Sequence, residues 1–94
     1  MVYRKGELSK RALDRGWPHQ VALPANRCTG PNFVSIRYFC EGLSLGPRGH
    51  CFRRNHVDFN VYCFADPEHA ERFCARFNGE LTTPAERPQW GGRE

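Results

Sequence analysis

Five cysteines carry the most reactive side chains of this 94-residue sequence: Cys28, Cys40, Cys51, Cys63 and Cys74. Zinc ribbons hold their metal with C-x-x-C pairs, whereas successive cysteines here lie 11 or 12 positions apart. An odd number of cysteines without a secretory segment does not indicate a disulfide framework either. We therefore expect reduced thiols that act as small apolar side chains, because free cysteine is among the most buried residue types.

A thiol metal site remains the alternative for three of these cysteines. Cys40, Cys63 and Cys74 are all predicted to face the core and could lie near one another, with His50 on their face of the sheet. Three thiolates and one imidazole would make a tetrahedral zinc site. The spacing does not demand this arrangement, so we predict neither a metal nor another cofactor.

Catalysis would need a nucleophile next to a base, and Cys51 with His50 or His56 is the one combination that the sequence offers. Adjacent residues on a strand point to opposite faces, so Cys51 and His50 cannot cooperate. Paired carboxylates, glycine-rich phosphate loops and H-E-x-x-H motifs are missing from the sequence. We therefore predict that the protein is not an enzyme.

Cationic side chains gather around a predicted hairpin at residues 49–64 and form the candidate binding site. Its members are three arginines, two histidines and one tyrosine: Arg48, His50, Arg53, Arg54, His56 and Tyr62. Guanidinium groups bind phosphates or carboxylates, and imidazoles become charged below about pH 6.5. The alternative interpretation is a solvated hairpin rim in which Arg53 is paired with Asp58.

The net charge of +4 is distributed unevenly along the chain. Residues 1–16 carry +3, residues 17–83 carry +1, and residues 84–94 are neutral. We expect a flexible basic arm, a single α+β domain over residues 17–83, and a disordered tail over residues 84–94. Because the domain itself carries only +1, its net charge gives little support to nucleic-acid binding.

The predicted elements alternate between strand and helix. His19–Leu23 alternates as a strand with Val21 and Leu23 inward. Residues 31–43 form a helix with Thr29 or Gly30 as N-cap and an apolar stripe on the core; its members are Phe33, Ile36, Cys40 and Leu43.

The hairpin follows, with Asn55-His56 as its two-residue turn. This register places Arg53 opposite Asp58 and Phe52 opposite Phe59. It divides the strands into two faces: Phe52, Phe59, Val61 and Cys63 on one, and Cys51, Arg53, Asp58, Asn60 and Tyr62 on the other. We expect the first face to be the core.

The last predicted elements are a helix and a short strand. Asp66 caps the helix, Glu68 pairs with Arg72 one turn on, and Gly79 is the left-handed stop. Residues 80–83 form a short edge strand. The resulting order is the ferredoxin-like β-α-β-β-α-β arrangement, with two helices on one face of an antiparallel sheet and the other face open.

Residues 59–79, FNVYCFADPEHAERFCARFNG, resemble the third strand and second helix of RNA recognition motifs. Phe59 matches the first stacking aromatic of that family, whereas Val57 replaces the basic residue and Val61 the second stacking aromatic. The resemblance implies single-stranded nucleic-acid binding on a sheet face, with Phe59 outward and Tyr62 inward. The predicted hairpin register reverses these orientations and leaves Tyr62 as the exposed aromatic.

Residues 15–24, RGWPHQVALP, and 65–73, ADPEHAERF, are similar to stretches of short uncharacterised bacterial proteins of ferredoxin-like fold. This similarity implies a bacterial origin. We expect the cytoplasm, because no run of about 18 apolar residues and no signal-peptide stretch is present. The expected function is a non-enzymatic binding or assembly module for a protein partner or a homodimer. The alternative is a module that binds single-stranded nucleic acid through the basic arm and the hairpin.

Overall fold

The computed structural model describes residues 9–87, which form three α-helices, one 3₁₀ turn and one four-stranded sheet. The helices are α1 (Lys10–Gly16), α2 (Pro31–Phe39) and α3 (Pro67–Phe77), and the strands are β1 (His19–Pro24), β2 (His50–Arg54), β3 (Val57–Phe64) and β4 (Glu80–Thr82). Neighbouring strands are antiparallel and lie in the order β2-β3-β1-β4. The predicted α+β class is therefore confirmed, with an additional helix before the first strand.

The hairpin has the predicted register. Phe52 lies opposite Phe59 and Arg53 opposite Asp58. The two turn residues, Asn55 and His56, have φ angles of 54° and 66°. Two consecutive left-handed residues are typical of the type I′ turn, whose twist matches that of the flanking strands.

Helix α3 begins as predicted, because Asp66 accepts a hydrogen bond of 2.9 Å from the backbone of Glu68. Its left-handed C-cap is Asn78, with φ 58°, and the prediction that Gly79 has this role is wrong. Asparagine tolerates the left-handed region better than most residues. Gly79 is required for another reason, since a Cβ there would lie 2.5 Å from Cγ1 of Val21.

Helix α2 ends at Phe39, four residues earlier than predicted. The chain turns after Cys40, and Gly42 adopts a left-handed φ of 83° that continues the turn away from the helix axis. Ile36 and Cys40 are buried as expected, but Phe33 is 48% exposed. The prediction that Phe33 belongs to the core is therefore wrong, since this side chain is largely at the surface.

The first core lies between the sheet and the helices α2 and α3. Its buried members are Val21, Leu23, Cys28, Ile36, Cys40, Phe64, Ala70 and Phe73. The Phe73 ring lies at its centre, 5.1 Å from the Tyr62 ring and 5.3 Å from the Phe64 ring between centroids. The inward orientation predicted for Val21 and Leu23 is confirmed.

A second core fills the opposite face of the sheet, where α1 packs. Its buried members are Leu13, Ala22, Phe52, Val61 and Cys63, with Trp17 and Phe59 packed against them. We expected this face to carry the two long helices and the other face to be open, and that prediction is wrong. Val21 lies directly opposite Tyr62, so the helix-bearing face of β1 is also the Tyr62 face of β3.

The segments next to the predicted domain are ordered where the structure describes them. The side chain of Ser9 caps α1 by accepting a hydrogen bond of 3.1 Å from the backbone of Ala12, and Leu13 is fully buried. At the other end, Arg87 is hydrogen bonded to Asp14. Residues 1–8 and 88–94, which belong to the predicted arm and tail, lie outside the described residues. Between residues 9 and 87, no helix has the length and apolar character needed to cross a membrane.

Candidate binding groove

A polar cluster joins α1, β1, β2 and the segment after β4 on the second face of the sheet. Asp14 Oδ1 lies 2.9 Å from His50 Nε2 and accepts hydrogen bonds from Gln20 Nε2 at 3.0 Å and from Arg87 Nη1 at 3.0 Å. Gln20 is fully buried, and its Oε1 accepts a bond of 2.8 Å from Arg87. This cluster holds α1 against the sheet.

Burial and hydrogen bonding shift the pKa of Asp14 in opposite directions. Burial alone would raise its pKa, but hydrogen bonds from Arg87, Gln20 and His50 lower the pKa to about 2. The pKa of His50 is lowered below 6.5, first by burial and then by the charge of Arg87, although Asp14 favours the protonated form. His50 is therefore mainly neutral at pH 7, and its Nε2–H donates to the Asp14 carboxylate.

A groove of about 580 Å³ lies beside this cluster, between α2, the 45–49 loop and the edge of the sheet formed by β2 and β3. Its apolar lining comes from all three parts: Phe33, Ile36, Leu45, Pro47, Val61 and Tyr62. The loop approaches β3 closely at Gly49, where a Cβ would lie 2.2 Å from the carbonyl oxygen of Val61. Glycine at this position lets the loop form the groove wall.

The remaining walls of the groove are positively charged. Lys10 of α1, Arg37 of α2 and Arg48 of the loop line it together with His50, and no carboxylate belongs to its lining within residues 9–87. The Arg37 guanidinium also lies over the Phe33 ring, 5.7 Å from its centroid. The groove therefore combines an apolar floor with cations from three separate elements.

The structure brings three of the six predicted site residues together in this groove: Arg48, His50 and Tyr62. Tyr62 is half-buried under Phe73 on the helix-bearing face, so the prediction that it is an exposed stacking aromatic is wrong. Burial, followed by hydrogen bonding with Cys28, raises the pKa of its phenol. Tyr62 is part of the groove floor.

The other three predicted residues do not line the groove. Arg53 donates a hydrogen bond of 2.9 Å to Asp58, as the alternative interpretation expected. Arg54 lies on the second face, where it donates to Glu80 at 2.7 Å and covers the Phe59 ring at 4.8 Å. His56 is exposed in the hairpin turn. The predicted cluster is therefore divided among the groove, the sheet face and the turn.

The sheet separates the thiols that the zinc alternative would bring together. Cys63 belongs to the core beneath α1, whereas Cys40 and Cys74 belong to the core beneath α2 and α3. The expectation that the three could lie near one another is wrong for this reason. Burial raises the pKa of Cys40 to about 11 and that of Cys63 to about 12, which favours neutral thiols. No cluster of three or more metal-ligating side chains occurs between Ser9 and Arg87.

A serine, a histidine and an aspartate meet at the start of α3. Ser44 Oγ lies 2.9 Å from His69 Nδ1, and His69 Nε2 lies 3.7 Å from Asp66 Oδ2. The hydroxyl oxygen also accepts the backbone N–H groups of Ala65 at 3.1 Å and Asp66 at 3.0 Å. Both lone pairs of Ser44 are engaged, so the cluster fixes the chain before α3 and does not present a nucleophile.

Sequence reasoning missed several residues of the groove and of the cluster beside it: Lys10, Phe33, Arg37, Asp14 and Arg87. The sequence predicts that Lys10 and Asp14 lie in a flexible basic arm and that Arg87 lies in a disordered tail. Strand β1 carries one usable signal, because Gln20 is the polar residue directly before the apolar run Val21, Ala22 and Leu23. A buried amide needs hydrogen-bond partners, and these come from α1 and the C-terminal segment.

Comparison of the sequence and the fold with known proteins provides no relative on which to base a function. No family model matches the chain, and no match is found among curated proteins or among solved structures. We therefore infer the function of the protein from the geometry of the groove.

Proposed function

We propose that this protein is a small non-enzymatic binding module that takes an acidic segment of a partner protein into the groove. The observation that carries this proposal is the combination of an apolar floor with Lys10, Arg37 and Arg48 and no carboxylate in the lining between residues 9 and 87. Like charges that face each other across an interface repel, so a cationic groove disfavours basic partners. A groove of this composition favours acidic ligands.

The apolar floor indicates what else the ligand carries. Small-ligand pockets range from about 300 to 1,000 Å³, and the groove has about 580 Å³. This volume accommodates one or two apolar side chains against Ile36, Leu45 and Tyr62. An aliphatic or aromatic anchor supplies binding energy through burial, and flanking carboxylates pair with the cations on the walls.

The geometry around the groove supports binding without catalysis. Cys51 is exposed and lines the groove, but its side chain lies on the opposite face of β2 from His50. The hydroxyl of Ser44 is held by two backbone groups. His69 Nδ1 lies 2.9 Å from that hydroxyl oxygen, but the two backbone hydrogen bonds occupy the lone pairs that a nucleophilic attack would need.

The proposal includes a finer fold assignment and a cellular setting. The strand order β2-β3-β1-β4, with α2 and α3 on one face, supports a ferredoxin-like arrangement from β1 onward, to which α1 is added. We also propose a bacterial and cytoplasmic setting, which has only the resemblance of residues 15–24 and 65–73 behind it. Fold alone does not define the ligand.

Fluorescence anisotropy with a labelled peptide tests the proposal. The probe is a short peptide with two leucines flanked by glutamates, and its matched control has glutamine in place of glutamate. We expect a Kd in the micromolar range for the acidic peptide and at least about tenfold weaker binding of the neutral one. Equal binding of the two peptides, or no binding of either, overturns the proposal.

Charge reversal locates the binding surface. We expect Arg37→Glu to weaken binding of the acidic peptide about tenfold, because it places a carboxylate in the groove wall. Arg76→Glu is the matched control: Arg76 is an exposed arginine of α3 outside the groove, and its replacement should leave the Kd unchanged. Equal losses in the two variants would indicate general charge attraction and contradict a specific groove.

Single-stranded nucleic acid is the second candidate, and one observation favours it. Phe33 and Tyr38 of α2 are 48% and 77% exposed, with Arg37 between them in sequence. Exposed aromatics beside a cation can stack on bases and contact phosphate. A labelled single-stranded RNA is therefore titrated at about 50 mM and about 200 mM salt. The nucleic-acid candidate replaces the proposed function if the wild-type protein binds the RNA but not the acidic peptide. In that case Arg37→Glu should abolish RNA binding.

A further inference from the structure

We infer that ligand binding in the groove is coupled to proton uptake by His50, so that an acidic ligand binds more tightly as the pH falls below 7. This inference rests on the proposed function, because it concerns the same groove. His50 lines the groove, and its Nε2 lies 2.9 Å from the Asp14 carboxylate behind it. The imidazole is therefore bonded to a partly buried carboxylate at the border of a cationic groove.

The charged and titratable groups around His50 come from every element packed against it. Helix α1 supplies Lys10 and Asp14, the segment after β4 supplies Arg87, and the loop before β2 supplies Arg48 to the same groove. Strand β1 supplies the neutral Gln20, and β3 supplies Val61 opposite His50 and the buried Cys63 near Asp14 and Arg87. The side chain of His50 itself is only 3% exposed. Its protonation is thus controlled by these neighbours more than by water.

Without an anionic ligand, the neutral imidazole is favoured. Burial opposes a charged ring, and the positive charges of Arg87 and Lys10 add to this effect, so the pKa of His50 is below 6.5. Asp14 offsets these contributions only in part, because the same carboxylate is shared with Arg87.

An acidic ligand changes this balance. A carboxylate that pairs with Lys10 or Arg48 adds negative charge on the groove side of the ring and removes part of the repulsion that protonated His50 would meet. Linkage is reciprocal: a ligand that raises the pKa of His50 must itself bind more tightly to the protonated protein. A rise of one unit corresponds to about tenfold tighter binding once His50 is protonated.

The test measures the Kd of the acidic leucine-containing peptide by anisotropy from about pH 8 to about pH 5.5 at constant ionic strength. Glutamate side chains remain largely ionised over this range, so the probe keeps its charge. We expect the Kd of the wild-type protein to fall about tenfold between these limits. His50→Gln, which keeps a donor for Asp14, should lose this slope, whereas His56→Gln in the exposed turn should retain it.

The outcomes separate this inference from the proposed function. Absence of binding at every pH overturns the proposed function. Binding with the same pH slope in the wild type and in His50→Gln overturns the inference and leaves the groove intact. If His50→Gln does not fold, the imidazole signals of the wild-type protein are titrated by NMR with and without peptide. An unchanged His50 pKa upon peptide addition also overturns the inference.

Discussion

Asp14 Oδ1 and His50 Nε2, separated by 36 residues along the chain, lie 2.9 Å apart and join α1 to the edge strand β2. Arg87 and Gln20 complete the hydrogen bonding of the same carboxylate. A helix of seven residues has little stability alone, so its position depends on these bonds and on the burial of Leu13. The groove wall that contains Lys10 depends on the same contacts.

We expect Asp14→Asn to lower the free energy of unfolding by about 2 kcal/mol at pH 7. The folded pKa of Asp14 is lowered from 3.8 to about 2, so its stabilising contribution is complete above pH 4 and is lost as the pH falls toward about 2. Urea unfolding at pH 7 and in this acidic range measures the difference, which should shrink in acid. Asp58→Asn, in an exposed pair with Arg53, is the control and should have little effect.

Ser44→Ala should destabilise the fold by about 2 kcal/mol, because it leaves the backbone N–H of Asp66 without its acceptor and removes one of the two acceptors of the Ala65 N–H. The matched control is Ser35→Ala on the exposed surface of α2, which should change stability by less than about 0.5 kcal/mol. Thermal and urea unfolding followed by circular dichroism measure both variants. Equal stability of the two would contradict the structural role assigned to Ser44.

We expect Phe73→Ala to lower the free energy of unfolding by about 3 to 5 kcal/mol, because the Phe73 ring is fully buried. Four aromatic rings surround it: Phe39, Tyr62, Phe64 and Phe77. A loss of this size is a large part of the stability of a small domain. Tyr38→Ala removes an aromatic ring of similar size that is largely exposed, and it should cost much less. Denaturant unfolding distinguishes the two, and a small effect of Phe73→Ala would contradict its central position.

Gly49→Ala adds only one methyl group, but we expect it to displace the loop that forms the groove wall. The added Cβ would lie 2.2 Å from the carbonyl oxygen of Val61, so the loop must move away from β3. Gly16→Ala is the control, since nothing lies within 4 Å of its Cβ position. NMR shifts of β2 and β3 residues should change in Gly49→Ala alone. An unchanged spectrum for that variant would show that the loop does not approach β3 this closely.

Local patterns were sufficient to predict the hairpin and α3. The hairpin register follows from two coincident pairs, Phe52 with Phe59 and Arg53 with Asp58, and the structure confirms both. The start of α3 follows from Asp66, Pro67 and Glu68, whose roles depend on the first helical turn alone. Interactions between residues close in sequence therefore determine these elements.

The helix-bearing face and the groove could not be predicted in this way. The orientation of Tyr62 depends on its pairing with Val21, which is 41 positions away, and not on the apolar pattern of the hairpin. Likewise, the burial of Leu13 depends on the opposite face of the sheet. Lys10 joins Arg37 and Arg48 in the groove only after α1 docks. These features depend on contacts between distant segments.

The five cysteines differ in accessibility, and this difference has a practical use. Cys28, Cys40 and Cys63 are buried, Cys74 is half-buried, and Cys51 alone is exposed. Because Cys51 lines the groove, a thiol-reactive fluorophore added to the native protein under mild conditions should attach there selectively. The natural sequence thus provides its own reporter position, at which the arrival of a ligand can be followed without introducing a new residue.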